Sequence, residues 1–240
     1  MTGVSFEDGR IARGMAAQLA LRLARLEAGE RSIGWKIGFG APAAMARLAL
    51  EAPLIGFLTD RASVAAGTTV SLAGWSKPAA EPEIAVYLGA DLSGEVDRAT
   101  ARAAIAGIGP AIELADVDRP PENVEAILAT NIYQRHVILG RCDGTRAGGR
   151  LDGVQARVVR NDVEIARTDD PQALTGELID LVRHVARTLS ACGVRLRAGE
   201  RIITGSIVPP LWVEPGEALT FTLDPIDTIS IRFDPRTPSR

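Results

Sequence analysis

Three glutamates in two apolar segments have the residue type and spacing of a metal site. Glu81 and Glu83 lie two residues apart in segment 81–88, which the alternating pattern predicts to be a strand, so both side chains point to one face. Glu113 lies in segment 111–115, a second predicted strand, with small alanines beside it on the same face. Converging carboxylates repel one another, and a divalent cation such as Mg²⁺, Mn²⁺ or Ca²⁺ removes that repulsion.

The same glutamates also have ordinary structural interpretations. An isolated E-x-E pair can be two exposed carboxylates on the solvated face of a strand. Glu113 lies inside an apolar segment, where a glutamate is seldom buried without a partner. That partner could be a metal ion or one of the 25 arginines, so both interpretations stay open at this point.

Lys36 is a candidate for substrate binding or catalysis because of its position. It is one of two lysines in the chain, and it stands between Gly34 and Gly38 on the polar face of a strand predicted over 33–39. The glycines leave room for a ligand to approach the backbone closely. An ammonium group there would contact a substrate carboxylate or assist proton transfer; the alternative is an exposed lysine on an edge strand.

Helices and strands are mixed irregularly around these residues. Apolar periodicity predicts a long helix over 6–28, with Ser5 as its N-cap, and another over 171–191. The Ala-rich segment 97–108 also reads as a helix. Short strands occur before, between and after them without a regular βαβ rhythm, which predicts an α+β (mixed α/β) fold with a largely antiparallel or mixed sheet.

Length and composition are ordinary for a globular protein. The 240 residues are expected to form a single catalytic domain, in which residues 1–52 pack on a core of residues 53–240. A net charge of -3 without a basic stripe argues against a nucleic-acid partner. We expect no membrane span or signal peptide, and two cysteines outside any C-x-x-C pattern favour the reducing cytoplasm.

The order of several motifs resembles the fumarylacetoacetate hydrolase superfamily. These motifs are G-W-K-I-G at 34–38, E-P-E-I-A at 81–85, P-A-I-E-L-A-D at 110–116 and A-G-E-R-I-I-T-G-S at 198–206. The most similar group is that of the 2-keto-4-pentenoate hydratases, which also includes 4-oxalocrotonate decarboxylases. The resemblance implies a mixed β-roll with flanking helices, a Mg²⁺ or Mn²⁺ ion and a homo-oligomer.

The resemblance also implies roles for individual residues. It makes Glu81, Glu83 and Glu113 the metal ligands. It implies that three further residues are catalytic, with Asp60 as the first candidate for a general acid or base: Lys36, Asp60 and Asp116. Residues expected to contact substrate are Gly38, Asn131 and Ser206.

Some positions depart from the superfamily pattern. The two hydroxyl residues that follow K-I-G-L are Gly40 and Ala41 here, and an aspartate of the D-D-M segment is Arg61. The serine of V-D-S-R is Val117, and the aspartate of A-D-N-A-S is Thr130. The metal set is therefore intact, whereas the residues that orient the substrate are altered.

The function implied by the resemblance is a metal-dependent hydratase. It would add water to a small 2-hydroxydienoate or 2-oxo-alkenoate in the catabolism of aromatic compounds, with a small 2-oxo acid as its ligand. Alternatives of the same fold are a 2-oxo diacid decarboxylase and an acylpyruvate-type C–C hydrolase. An alternative of another class is a catalytically degenerate, metal-binding subunit in a complex with a related pathway enzyme.

Overall fold

The computed structural model describes residues 8–235, and all structural statements refer to this part of the chain. Its helices are α1 (Gly9–Glu27), α2 (Pro42–Leu48), α3 (Arg98–Ala104), α4 (Val124–Ala129) and α5 (Leu178–Ala191). Its strands are β1 (Ser32–Gly38), β2 (Leu54–Thr59), β3 (Ser63–Val64), β4 (Thr69–Val70), β5 (Pro78–Leu88), β6 (Ile105–Asp116), β7 (Gln134–Leu139), β8 (Gln155–Arg160), β9 (Val163–Thr168), β10 (Arg201–Ser206), β11 (Leu211–Trp212), β12 (Ala218–Asp224) and β13 (Asp227–Phe233).

The described strands form two sheets. The first has the order β2-β1-β10-β5-β6-β7-β3, with β11 also paired to β5, and it contains both parallel and antiparallel pairs. The second has the order β4-β13-β12-β8-β9. Strand β1, from the first 52 residues, lies between β2 and β10 and is therefore an inner strand of the first sheet.

The first sheet is curled into a roll. Its two outer strands, β2 and β3, are joined by residues 60–62 alone. A linker of three residues spans at most about 14 Å between flanking Cα atoms, so the two edges of the sheet must approach each other. This architecture confirms the predicted α+β fold of the β-roll type.

The two faces of the first sheet have different roles. One face packs against α5 and the second sheet in the main hydrophobic core, through residues such as Trp35, Phe57, Ile84, Ile112 and Ile202. The other face, inside the roll, has a small apolar cluster formed by Leu58, Ala85, Ala111, Val137 and Ile203. Alternation along the strands places Lys36, Glu83 and Glu113 on this interior face.

Helices α1, α2 and α4 pack together with strand β2 in a second hydrophobic cluster. Gln18 on α1 donates hydrogen bonds from Nε2 to the carbonyl oxygens of Ile55 and Leu128, each at 3.0 Å. A Cβ at Gly14 would lie 2.6 Å from the Leu128 Cβ, so α1 approaches α4 this closely only with a glycine there. These contacts fix α4, and with it the segment that follows, against strand β2.

The predicted helix boundaries need three corrections. Helix α1 begins at Gly9, with the Asp8 side chain as its N-cap; Ser5 lies outside the described residues. The helix predicted over 97–108 ends at Ala104, because Ile105 and Ile108 are buried in strand β6 and this burial overrides the helical propensity of the alanines. Helix α5 begins at Leu178 rather than at residue 171. Within residues 8–235, no helix combines the length and apolar character needed to cross a bilayer.

Candidate metal centre

Glu81, Glu83 and Glu113 converge on one point inside the roll. Each offers a carboxylate oxygen, and these three atoms lie within 4.8 Å of one another. Glu83 and Glu113 are fully buried, and Glu81 is half-buried. The arrangement follows from the antiparallel β5–β6 pair, in which Glu81 lies opposite Glu113 and Glu83 lies opposite Ala111. We refer to these three residues as the glutamate cluster.

The cluster has unsatisfied acceptors where a cation would bind. Glu83 Oε1 and Glu113 Oε2 are buried and have no hydrogen-bond partner. A buried acceptor without a partner destabilises the fold, and three carboxylates together add mutual repulsion. A hard divalent cation would satisfy both atoms and offset the negative charge, so the residues present fit such an ion.

The ionisation of the cluster reflects its burial. Burial raises the pKa of Glu113 to about 7, although the Lys36 ammonium acts in the opposite direction. Burial, followed by the charges of Glu113 and Glu81, raises the pKa of Glu83 well above its ordinary value. Burial also raises the pKa of Glu81. The carboxylates therefore hold protons more strongly than free glutamates do, unless a cation displaces those protons.

Lys36 lies beside the cluster with its charge buried. Its Nζ forms an ion pair with Glu113 Oε1 and donates a hydrogen bond of 3.0 Å to the Ile132 carbonyl oxygen. Strands β10 and β5 lie between β1, which carries Lys36, and β6, which carries Glu113. In a flat sheet the backbones of β1 and β6 would therefore be about 14 Å apart. The side chains meet because this face of the sheet is concave. The partner of Glu113 among the described residues is thus Lys36 and not an arginine.

Strand β10 supplies a backbone donor that the motif analysis did not identify. The Gly205 N–H donates to Glu83 Oε2 at 2.6 Å, which fixes one oxygen of this carboxylate. Gly205 has φ +92°, a conformation open to glycine, and β10 bulges between Ile203 and Ser206. The glycine in the T-G-S motif was the sequence signal for this donor.

Two predicted substrate contacts, Ser206 and Gly38, lie near the cluster. Ser206 pairs with Glu83 across β10 and β5, and its buried Oγ has no hydrogen-bond partner. Gly38 follows Lys36 by two residues on the same face of β1. A Cβ at Gly38 would lie 3.0 Å from Ile132 Cγ2, so a glycine there allows segment 131–133 to pack close to β1.

Asn131, the third predicted substrate contact, is engaged by the backbone of β2. Its Oδ1 accepts from the Phe57 N–H at 2.8 Å, and its Nδ2 donates to the Phe57 carbonyl oxygen at 2.9 Å. The side chain is only 1% exposed. Its two polar atoms are thus already hydrogen-bonded within the chain.

Asp60 is not brought to the cluster. It lies at the far end of β2, where it accepts hydrogen bonds from the Arg31 N–H at 2.9 Å and from Arg31 Nε at 2.8 Å. Arg31 precedes β1, so Asp60 lies roughly 15 Å along the strand from Lys36. The superfamily motif around Asp60 predicts a catalytic role, but the direction of β2 carries the aspartate away from the glutamate cluster.

Asp116 also has a different environment from the one expected. It is buried at the end of β6, on the face opposite to Glu113 by strand alternation. Its Oδ1 accepts from the N–H groups of Ser76 and Lys77, each at 2.8 Å, and its Oδ2 accepts from Arg135 Nη2 at 3.0 Å. These contacts fix the segment that leads into β5. Asp116 therefore helps to position the strand that carries Glu81.

A separate cavity of about 620 Å³ lies between α1, segment 49–55 and α5. Its walls include His184, whose Nε2 lies 2.8 Å from the Pro53 carbonyl oxygen. None of the glutamate-cluster residues lines it. The acidic centre is therefore not part of this cavity.

A curled mixed sheet with a carboxylate cluster and a buried lysine inside it defines a β-roll protein with a metal-type site. The family profile described as fumarylacetoacetate (FAA) hydrolase C-terminal matches residues 36–233. The chain belongs to this family, as the sequence motifs predicted.

Curated relatives match nearly the whole chain. The 2-hydroxyhexa-2,4-dienoate hydratase of Comamonas testosteroni is 31% identical over 225 residues, which cover 91% of this chain and 85% of that protein. A 4-oxalocrotonate decarboxylase of Pseudomonas putida is 30% identical over 226 residues, covering 90% and 83%. A 2-keto-4-pentenoate hydratase of Paraburkholderia xenovorans is 27% identical over 233 residues, covering 96% and 86%.

Among solved structures, this chain is again similar to a 4-oxalocrotonate decarboxylase. The 4-oxalocrotonate decarboxylase from Pseudomonas putida G7, complexed with magnesium and adipate, has a TM-score of 0.85 and 26% identity, covering 93% of this chain and 86% of that one. The same protein complexed with calcium and acetate has a TM-score of 0.84 and 27% identity, covering 93% and 85%. Both resemble this chain over nearly its full described length.

Proposed function

We propose that the chain is a metal-dependent hydratase that adds water to a small 2-hydroxydienoate or 2-oxo-alkenoate in the catabolism of aromatic compounds. The observation that carries the proposal is the glutamate cluster, with its two unpartnered buried oxygens, beside the buried ammonium of Lys36. The similarity to the Comamonas hydratase supports the reaction class. Glu81, Glu83 and Glu113 would hold Mg²⁺ or Mn²⁺.

Residues of this chain would bind and orient the substrate. When bound, the ion supplies Lewis-acid stabilisation of negative charge on the 2-oxygen of the substrate. Lys36 places a positive charge beside the substrate carboxylate or assists proton transfer. The unpartnered Ser206 hydroxyl offers a hydrogen bond to the substrate, and the Gly205 N–H keeps Glu83 in place.

The reaction balances without a redox partner. A proton adds to the fifth carbon of the dienol while the 2-hydroxyl loses its proton, which gives a conjugated 2-oxo-alkenoate. Water then adds to the electron-poor double bond, with its hydroxyl on the fourth carbon and its proton on the third. One water is consumed and no electrons are transferred.

Decarboxylation is the second candidate, because a 4-oxalocrotonate decarboxylase is 30% identical to this chain and the structure of a 4-oxalocrotonate decarboxylase matches it with a TM-score of 0.85. A substrate with a second carboxylate would release CO₂ in place of consuming water. The decisive experiment supplies purified protein with Mg²⁺ and, in parallel, a 2-hydroxydienoate monoacid and a vinylogous 2-oxo diacid. Loss of dienol absorbance with ¹⁸O uptake from labelled water supports hydration; trapped CO₂ supports decarboxylation.

Further outcomes of the same experiment separate the remaining alternatives. Two carboxylic products from an acylpyruvate would indicate C–C hydrolysis. Metal binding without turnover of any of these compounds would contradict the hydratase proposal and favour a degenerate subunit of a complex. Activity that persists in excess chelator, or in Glu83→Gln, would contradict the metal assignment.

We also propose that the 240 residues form one catalytic domain that acts in the cytoplasm as a homo-oligomer. The two cysteines, Cys142 and Cys192, are both free, which suits a reducing compartment. The superfamily resemblance supports oligomerisation. Light scattering coupled to size-exclusion chromatography, at several protein concentrations, measures the subunit number, and a monomer at all of them would contradict this proposal.

A further inference from the structure

Segment 131–133 has a backbone conformation that L-residues seldom adopt. Asn131, Ile132 and Tyr133 have φ values of 66°, 51° and 62°. The left-handed region is tolerated by asparagine but is sterically unfavourable for a β-branched or aromatic residue. Three such residues in succession are kept only where neighbouring groups hold them.

Hydrogen bonds at both ends hold this segment in place. Asn131 bonds both the N–H and the carbonyl oxygen of Phe57 on β2, at 2.8 and 2.9 Å, in the manner of a neighbouring strand. At the other end, the Tyr133 hydroxyl donates to the Arg119 carbonyl oxygen at 2.8 Å, and the Tyr133 carbonyl oxygen accepts from the Asp116 N–H at 2.9 Å. The left-handed turn is therefore fixed to β2 on one side and to the end of β6 on the other.

The left-handed turn directs the Ile132 carbonyl oxygen towards the candidate active site. Ile132 donates its N–H back to the Ile127 carbonyl oxygen at 2.8 Å, and its own carbonyl oxygen accepts from Lys36 Nζ at 3.0 Å. Lys36 has Glu113 as its other acceptor. The Lys36 side chain is long and flexible, so the two acceptors together determine where its ammonium lies relative to the glutamate cluster.

We propose that Asn131 is a positioning residue for Lys36 rather than a substrate contact. The Asn131 amide stabilises the left-handed turn through its hydrogen bonds to Phe57. The turn orients the Ile132 carbonyl group, which accepts a hydrogen bond from the Lys36 ammonium and keeps it beside the glutamate cluster. The catalytic consequence rests on the proposed function, whereas the placement of Lys36 does not. Gly38 contributes by leaving space for Ile132 against β1.

The small number of lysines makes a direct test practical. Protein grown with ¹⁵N-labelled lysine gives Nζ signals from Lys36 and Lys77 only, and Lys77→Arg assigns them. In Asn131→Gly the backbone can keep its positive φ but the amide is lost. We expect the Lys36 ammonium protons to exchange with water at least about 10-fold faster than in the wild type, while the Lys77 signal is unchanged. An unchanged Lys36 signal in folded Asn131→Gly would overturn the proposal.

Asn123→Gly is the matched control. Asn123 caps α4 through a hydrogen bond from the Ala126 N–H at 3.1 Å, so this variant also loses an asparagine amide contact at the same helix but does not disturb the turn. We expect wild-type signals for both lysines. An equal effect of the two variants would show general loosening of α4 and would contradict positioning by Asn131. If Asn131→Gly does not fold, Asn131→Asp keeps the acceptor for Phe57 N–H, loses the donor, and is measured in the same way.

A double-mutant cycle tests the catalytic consequence. Asn131→Gly should lower kcat about 10-fold with little change in KM, and it should have no further effect in a Lys36→Met background. Equal losses in both backgrounds would mean that Asn131 acts independently of Lys36. If the wild-type protein converts none of the substrates, the proposed function fails, and the lysine signals still decide whether Asn131 positions Lys36.

Discussion

Glu81 on β5 lies directly opposite Glu113 on β6, so two acidic side chains form a cross-strand pair inside the roll. Like charges opposite each other destabilise a sheet. Glu83 adds a third carboxylate, fully buried, within 4.8 Å of the other two ligand atoms. The three carboxylates therefore destabilise the metal-free fold, whereas a bound cation would make their arrangement stabilising.

The first prediction concerns metal affinity. The wild-type protein should bind one Mn²⁺ or Mg²⁺ per chain, and Glu83→Gln should weaken binding by more than about 100-fold, because loss of a group that only supports a ligand already costs 10–100-fold. Titration calorimetry measures both proteins. Glu51→Gln, a change at an exposed glutamate, is the control and should bind metal like the wild type. Equal affinity in Glu83→Gln would remove Glu83 from the site.

The second prediction concerns the pH dependence of the metal-free protein. The pKa of Glu113 is raised to about 7, and that of Glu83 is also raised, so the folded state holds protons that the unfolded state releases above about pH 4.5. The stability linked to the Glu113 proton is complete below that pH and is lost as the pH rises through 7, and the raised pKa of Glu83 acts in the same direction. The loss is on the order of a few kcal/mol.

Melting temperatures measured in chelator from pH 5 to 8.5 test this expectation. Glu83→Gln removes a carboxyl group that the folded wild type must keep protonated after the unfolded chain has released the proton, so its melting temperature should exceed that of the wild type by a margin that grows with pH. Saturating Mg²⁺ should stabilise the wild type and have little effect on the variant. Comparing the two proteins at each pH cancels the contributions of histidines and aspartates elsewhere. A margin that is constant across the range would contradict the role assigned to burial.

The glutamate cluster was predictable because strand alternation and the E-x-E spacing are local properties of the sequence. Its geometry required only that two apolar strands be neighbours, and they are. The partner of Glu113 was not predictable in this way. Lys36 reaches it across two intervening strands, and the curl of the sheet that allows this contact is set by the whole roll.

The expected catalytic roles of Asp60 and Asp116 came from matching motifs without knowing strand direction. Asp60 follows β2 at its far end and binds Arg31, whereas Asp116 lies one face away from Glu113 and binds backbone amides. The left-handed turn at 131–133 also lacked a sequence signal, because isoleucine and tyrosine argue against positive φ. Tertiary hydrogen bonds, not local preference, determine it.

The third prediction separates Lys36 from the metal ligands. Lys36→Met should lower kcat by about 10²–10⁴, the range for loss of a group that takes part in proton transfer. Mn²⁺ should bind at least as tightly as in the wild type, because removal of the ammonium removes a positive charge beside the cluster. Lys77→Met, at the exposed lysine, is the control. Weaker metal binding in Lys36→Met would mean that Lys36 stabilises the cluster itself.

The fourth prediction concerns the glycine that lets β1 and β10 meet. Gly34 has φ +145°, and a Cβ there would lie 1.9 Å from the Arg201 carbonyl oxygen, so Gly34→Ala forces apart the strand pair that places Lys36 opposite Ile203. We expect a loss of more than about 4 kcal/mol in the free energy of unfolding, measured by urea denaturation, or failure to fold. Gly29→Ala is the matched control: its φ is +97° but nothing lies within 4 Å, so only backbone strain of about 1–2 kcal/mol is expected. Similar losses in both variants would mean that β1 and β10 can separate without cost, and that the close approach at Gly34 does not hold Lys36 in the site.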